Sequence, residues 1–223
     1  KYWEINMAYE KLYNEIYAIV SLKYLWKEYK VGFVKNESPD WINEEMNLGL
    51  EVTQALLPDD GKTESFIDKY LGCLKEELPI AAIEFYGDRL HFYNGRFWAV
   101  LDDEREPQDY LLKVQFRFDR KLEKLNINYA RMKNNGIYIY VHPAKNEKVD
   151  AKKLYHYMKK EQSKKKYGFK WVFLNCINKI YVFDFEEDSI ERIDLPANAE
   201  SLFNNETEKL RHSCLWKDGT RLE

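Results

Sequence analysis

Apolar residues at Ile5, Leu12, Ile16, Ile19, Val20 and Leu25 recur at near-helical spacing with Gly32 just beyond them, so residues 5–30 read as a long amphipathic helix. Stretches of strand character follow at 31–34, 40–42 and 48–57. The Pro-Asp-Asp-Gly of 58–61 reads as a turn, and Thr63-Glu64-Ser65 opens a helix to about residue 75. Residues 80–101 read as two or three β segments punctuated by Gly87-Asp88 and Asn94-Gly95, and the region 78–105 looks inserted.

A second long helix is expected over 107–133, with Pro107 in its first turn and Leu111, Leu112, Phe116, Leu122, Leu125 and Tyr129 as candidate buried positions. The run 137–141 suits a strand covered on both faces. A basic helix over 150–166 then leads into a β-hairpin of 170–175 and 179–185. The expected fold is therefore α/β, with a mixed central sheet flanked by helices, in the order helix, three strands, helix with inserted strands, helix, strand. Residues 1–185 form the expected domain, extended at its end by the hairpin, and 186–223 a poorly patterned acidic extension.

Composition narrows the class. With 45% hydrophobic and 33% charged residues the chain is globular in type. A net charge of −3 means that affinity for a polyanion must come from a local patch. Cys73, Cys176 and Cys214 are widely spaced, which indicates neither a disulfide framework nor a zinc site. No apolar run approaches a bilayer span and the opening residues lack signal-peptide organisation, so the expectation is a soluble cytoplasmic chain with no membrane partner.

The informative constellation is Pro39-Asp40-Trp41-Ile42 followed by Gly49-Leu50-Glu51-Val52-Thr53-Gln54. Asp40 and Glu51 lie eleven positions apart on adjacent expected strands, and a tight turn across 43–47 brings them side by side at one end of the sheet. Two such carboxylates suit Mg²⁺ or Mn²⁺, with water and phosphate oxygens completing the shell, and phosphodiester hydrolysis is the chemistry they point to. A half-exposed strand shows the same alternation of polar and apolar positions, and Pro-Asp also opens ordinary turns.

Those residues resemble the PD-(D/E)xK nuclease-like superfamily, in particular bacterial and phage proteins that carry PDWI or PDFI and then GxEVT. The resemblance covers about residues 5–142 and implies a restriction-endonuclease-like core, α-β-β-β-α-β, with Asp40 and Glu51 as metal ligands. The family's lysine, two residues after the second carboxylate, is replaced here by Thr53. Gln54 next to it, or Lys121 on the second long helix with Lys124 one turn away, is the candidate replacement. Members of the superfamily often add an acid from the first helix, and Glu15 is the candidate, with Glu10 and Glu37 as further positions.

Lys152, Lys153, Lys159, Lys160, Lys164, Lys165 and Lys166, interleaved with Tyr155, His156 and Tyr157, form a basic concentration fit for phosphate contacts and base stacking. A solvated lysine-rich face is the other reading. The leading expectation is a metal-dependent nuclease acting on DNA or RNA. The alternatives are a catalytically lapsed relative that binds nucleic acid or protein, and an α/β interaction protein in which the motif is coincidental. A protein partner or a second copy of the chain is left open.

Overall fold

The computed structural model describes residues 2–25, 32–55, 58–100, 109–127, 132–141, 149–213 and 221–222. In chain order the elements are α1 (Tyr2–Leu25), β1 (Phe33–Lys35), β2 (Trp41–Asn43), β3 (Leu48–Gln54), α2 (Pro58–Tyr70), α3 (Ile80–Tyr86), β4 (Leu90–Tyr93), β5 (Arg96–Val100), α4 (Asp109–Ile127), β6 (Asn134–Tyr140), α5 (Ala151–Gln162), β7 (Trp171–Asn175), β8 (Lys179–Asp184), β9 (Ser189–Asp194), α6 (Ala199–Ser213) and β10 (Arg221–Leu222). They fall into two compact units, Lys1–Ala55 with Val114–Glu223, and Leu56–Lys113.

The first unit is an α/β layer structure. Its sheet runs β10-β1-β2-β3-β6-β7-β8-β9, parallel at β3/β6 and β6/β7 and antiparallel elsewhere. Alternation along β3 sends Leu48, Leu50 and Val52 to one face, where they join Ile16, Ile19 and Leu22 of α1 in a single core. Glu51 and Thr53 take the other face, where α4 lies: Lys121 and Lys124 of α4 reach Glu51. The helix is held by Val114, Phe118, Leu122 and Leu125, a fully buried stripe at helical spacing. Strand β6 is buried from Asn135 to Ile139, as a central strand covered on both faces must be.

Several elements differ from the sequence expectation. Residues 58–61 are not a turn but the first turn of α2, a position where proline's missing N–H leaves no hydrogen bond unmade. Residues 80–86 form α3 rather than a strand; Ala81, Ala82 and Glu84 favour helix, and Gly87 at φ 51° ends it. The basic helix stops at Gln162, so Lys164, Lys165 and Lys166 lie beyond it. The described residues after 186 hold regular structure within the first unit: β9 extends the β7/β8 hairpin into a meander, β10 pairs with β1, and α6 sets Phe203 against Tyr17 and Tyr24 of α1. The expected helical ends at 26–30, 107–108 and 128–131 lie outside the described residues.

The second unit holds α2, α3 and the β4/β5 hairpin, and spans more of the chain than the 78–105 expected as an insertion. It has its own core of Leu78, Tyr86, Leu90 and Phe97, against which Phe66 and Ile67 pack.

Gly49 matters for the site. A Cβ there would meet Pro39 Cγ at 2.7 Å, and a pyrrolidine ring has little freedom to yield. Gly49→Ala is expected to cost ~1–3 kcal/mol through overpacking. A denaturant midpoint indistinguishable from that of the wild type would show that the Pro39–Gly49 contact is not needed.

Candidate active site

Antiparallel pairing of Trp41 with Leu50 and of Ile42 with Gly49 extends, one step further, to Asp40 beside Glu51. Asp40 ends the loop entering β2, and its Oδ2 accepts a hydrogen bond from the Val52 N–H at 2.8 Å, fixing the carboxylate to the backbone of β3. Trp41, fully buried, donates from Nε1 to the Glu15 carbonyl at 3.1 Å and so ties α1 to β2.

Charges are gathered here in opposing pairs. Lys121 Nζ is hydrogen-bonded to Glu51 Oε2 and stands 4.0 Å from Asp40 Oδ2. Lys124 Nζ is 3.3 Å from Glu51 Oε1. Lys35 Nζ lies 3.1 Å from Glu15 Oε2 and donates to the Asp40 carbonyl at 3.2 Å. Asp40, Glu51 and Glu15 are all buried, at 2%, 1% and 3% exposure, whereas the Lys124 side chain is 43% exposed. Buried carboxylates require such partners, since an uncompensated charge in the interior costs several kcal/mol. Asp40 is nevertheless pushed up to about 6, by burial first and then by the negative charge of Glu51, with Lys121 opposing.

The structure thus brings Asp40, Glu51, Lys121 and Lys124 into contact, with Glu15 joined to them through Lys35. Thr53 shares Glu51's face of β3, and its hydroxyl donates to the Gln54 carbonyl at 3.4 Å. Gln54 cannot stand in for the motif lysine: it lies on the opposite face of the sheet, beside Tyr13 and Tyr17 of α1. Glu37 is exposed, and the side chain of Glu10 lies outside the described residues. Lys35 was not anticipated, and its signal is slight: a lysine in the short strand β1 paired directly with Trp41 of the motif.

The donor set suits a hard divalent cation. Two carboxylates converge on one ammonium, Lys121 Nζ, so a positive charge already stands between them. Among the described residues no group of three or more His, Cys, Asp or Glu closes on a single point. The ligation available is therefore one or two carboxylates with water and substrate oxygens, as Mg²⁺ commonly uses.

No family model matches the chain, and no solved structure matches it. A local likeness exists to Protein TIC 214 of Adiantum capillus-veneris, 30% identical over 96 residues. That segment is 39% of this chain and 6% of the longer protein. So small a share of TIC 214 carries no activity across.

On α5, Lys152, Lys153, His156, Lys159 and Lys160 are exposed and form one continuous stripe. Lys159 is paired with Asp188 and Lys164 with Glu161, while Lys165 and Lys166 are exposed beyond the helix. Of the two tyrosines, Tyr155 is not a stacking platform. Tyr155 is buried, stacked on Phe185 at 4.9 Å with its hydroxyl on Asp188, and Tyr157 donates to Asp119 at 2.6 Å. No helix of the described residues is long and apolar enough to cross a membrane.

Proposed function

We propose that the chain is a metal-dependent nuclease of the PD-(D/E)xK kind, with Asp40 and Glu51 as ligands of Mg²⁺ or Mn²⁺. The observation that carries this reading is the convergence of two buried carboxylates from adjacent strands on one cationic position. The element order α1-β1-β2-β3-α4-β6, with the second unit inserted between β3 and α4, supports it, because it is the order of that superfamily's core.

A cation held there supplies a water of lowered pKa and offsets charge on the phosphoryl group. The protein's own residues do the rest. Lys121 occupies the functional place of the motif lysine, which Thr53 vacates, and delivers positive charge from α4 to the side of both carboxylates. Lys124, its side chain 43% exposed, would contact a phosphate oxygen by turning from Glu51. Lys35 holds the Asp40 carbonyl and the Glu15 carboxylate, positioning the loop that presents Asp40. The α5 stripe supplies phosphate contacts on a further helix joined to α4 by the Tyr157–Asp119 hydrogen bond.

The test is cleavage of labelled DNA and RNA by the wild type with and without Mn²⁺. Metal-dependent cleavage supports the proposal. Mn²⁺ binding without cleavage of either substrate supports the lapsed relative instead, and the absence of both rules out the site.

A proton competes with the cation for Asp40. Since its pKa is pushed up to about 6, the apparent Mn²⁺ affinity is expected to fall ~10-fold per pH unit below that value and to level off above it. Calorimetric titrations from pH 5 to 8 read this directly; a flat profile would remove Asp40 from the ligand set.

A further inference from the structure

On the face of the sheet away from Asp40 and Glu51, a cavity of about 280 Å³ opens at the carboxyl ends of the parallel strands β3 and β6. Ligands of α/β sheets commonly sit at such strand ends. Tyr13 and Tyr17 of α1, Gln54 and Tyr140 of the two strands, and Glu200 and Asn204 of α6 form its walls.

The walls have a definite chemistry. Tyr17 and Tyr140 meet edge to face at 67° with centroids 5.6 Å apart, so their rings make a corner rather than a stack. Tyr17 is only 5% exposed, and its hydroxyl is buried away from the cavity's open space. Tyr13 donates to Asn204 at 2.7 Å. Among the described residues that line the cavity, Glu200 carries a formal negative charge and none is Lys, Arg or His. The field of that carboxylate is felt inside: at Tyr140 it is the largest cause of the hydroxyl's upward shift after burial. One of these rings already accepts a cation, since the Arg211 guanidinium, paired with Glu208, sits 5.4 Å from the centroid of Tyr13.

We propose that this cavity binds a compact alkylammonium ion. Tyrosine rings attract such a cation through their negative faces, and Glu200 adds a full opposite charge at the rim. An anion is repelled by Glu200. An uncharged ligand gains nothing from the Glu200 carboxylate. The site is independent of the metal-binding reading, as it shares no residue with the carboxylate pair.

Choline and its uncharged carbon isostere, 3,3-dimethylbutan-1-ol, are the probes, followed through the tyrosine ring resonances of the full chain. Choline is expected to bind ~10-fold or more tightly than the isostere, a preference that Glu200→Gln abolishes. Glu200 is exposed, so this variant is expected to keep the wild-type fold, which its unchanged melting curve verifies. Tyr140→Leu keeps the apolar wall without the ring and is expected to lose the same preference. Equal affinity for the two probes, a preference that survives Glu200→Gln, or no response to either probe overturns the proposal.

Discussion

Alanine at Asp40 or at Glu51 is expected to abolish specific Mn²⁺ binding and to lower metal-dependent cleavage by ~10³-fold or more, since each removes half of the cation's protein ligation. The two substitutions differ in their effect on folding. Glu51 makes contacts with both Lys121 and Lys124, and its removal takes that partner from both, leaving Lys121 beside Asp40. Asp40 stands at a cost to the fold when ionised. Its pKa rises from the ordinary 3.8 to about 6, so the folded chain binds the proton more tightly than the unfolded one. The stability this contributes is fully present below 3.8 and is lost as pH rises through about 6. Asp40→Asn keeps an acceptor for the Val52 N–H without the charge. It is therefore expected to be more stable than the wild type at pH 8 and to lose that advantage by pH 4, while binding no Mn²⁺. Urea denaturation at the two pH values measures the difference. A variant less stable than the wild type at pH 8 would show that Lys121 compensates Asp40 fully.

Lys121→Met is expected to move binding and catalysis in opposite directions. The ammonium stands where the two carboxylates converge, so a cation entering there works against its charge. Methionine fills similar space without that charge, and Mn²⁺ is expected to bind ~10-fold or more tightly, given an opposing interaction of a few kcal/mol at close range. Cleavage is expected to fall ~10²–10³-fold, the usual consequence of removing one group that stabilises transition-state charge. Calorimetry and the nuclease assay on one preparation give both quantities. If affinity and cleavage fall together, Lys121 helps to hold the site in shape rather than competing for it.

Much of the frame is legible in the sequence because it is written locally. The α1 and α4 stripes repeat at helical spacing, and Trp41-Ile42 and Leu48 to Val52 alternate as strands do. Asp40 and Glu51 can be placed together because the short connection between β2 and β3 leaves little freedom in their register. Lys121 is a different case: seventy positions separate it from Glu51, and only the docking of α4 on the β3 face unites them. Gln54 stands one position of strand alternation from Thr53, which is enough to cross the sheet.

The C-terminal residues read as unpatterned because their order is tertiary. Strand β9 is exposed along most of its length and owes its conformation to pairing with β8, while α6 is shaped by the aromatic contacts of Phe203 with α1. In α3, Ile80, Ile83, Phe85 and Tyr86 look like strand residues in composition, but Ile80 and Phe85 are exposed and the helix is set by its flanking Pro79 and Gly87. Lys35 escaped notice for a related reason, as a charge in a three-residue strand takes its meaning from Glu15 on a different element.

The most direct test of the carboxylate pair is an anomalous difference map from crystals soaked in Mn²⁺. A peak within ligand distance of both Asp40 and Glu51, with Lys121 Nζ displaced from between them, is the predicted result. Crystals that take up Mn²⁺ elsewhere, or not at all, with Lys121 still bridging the two acids, would contradict it.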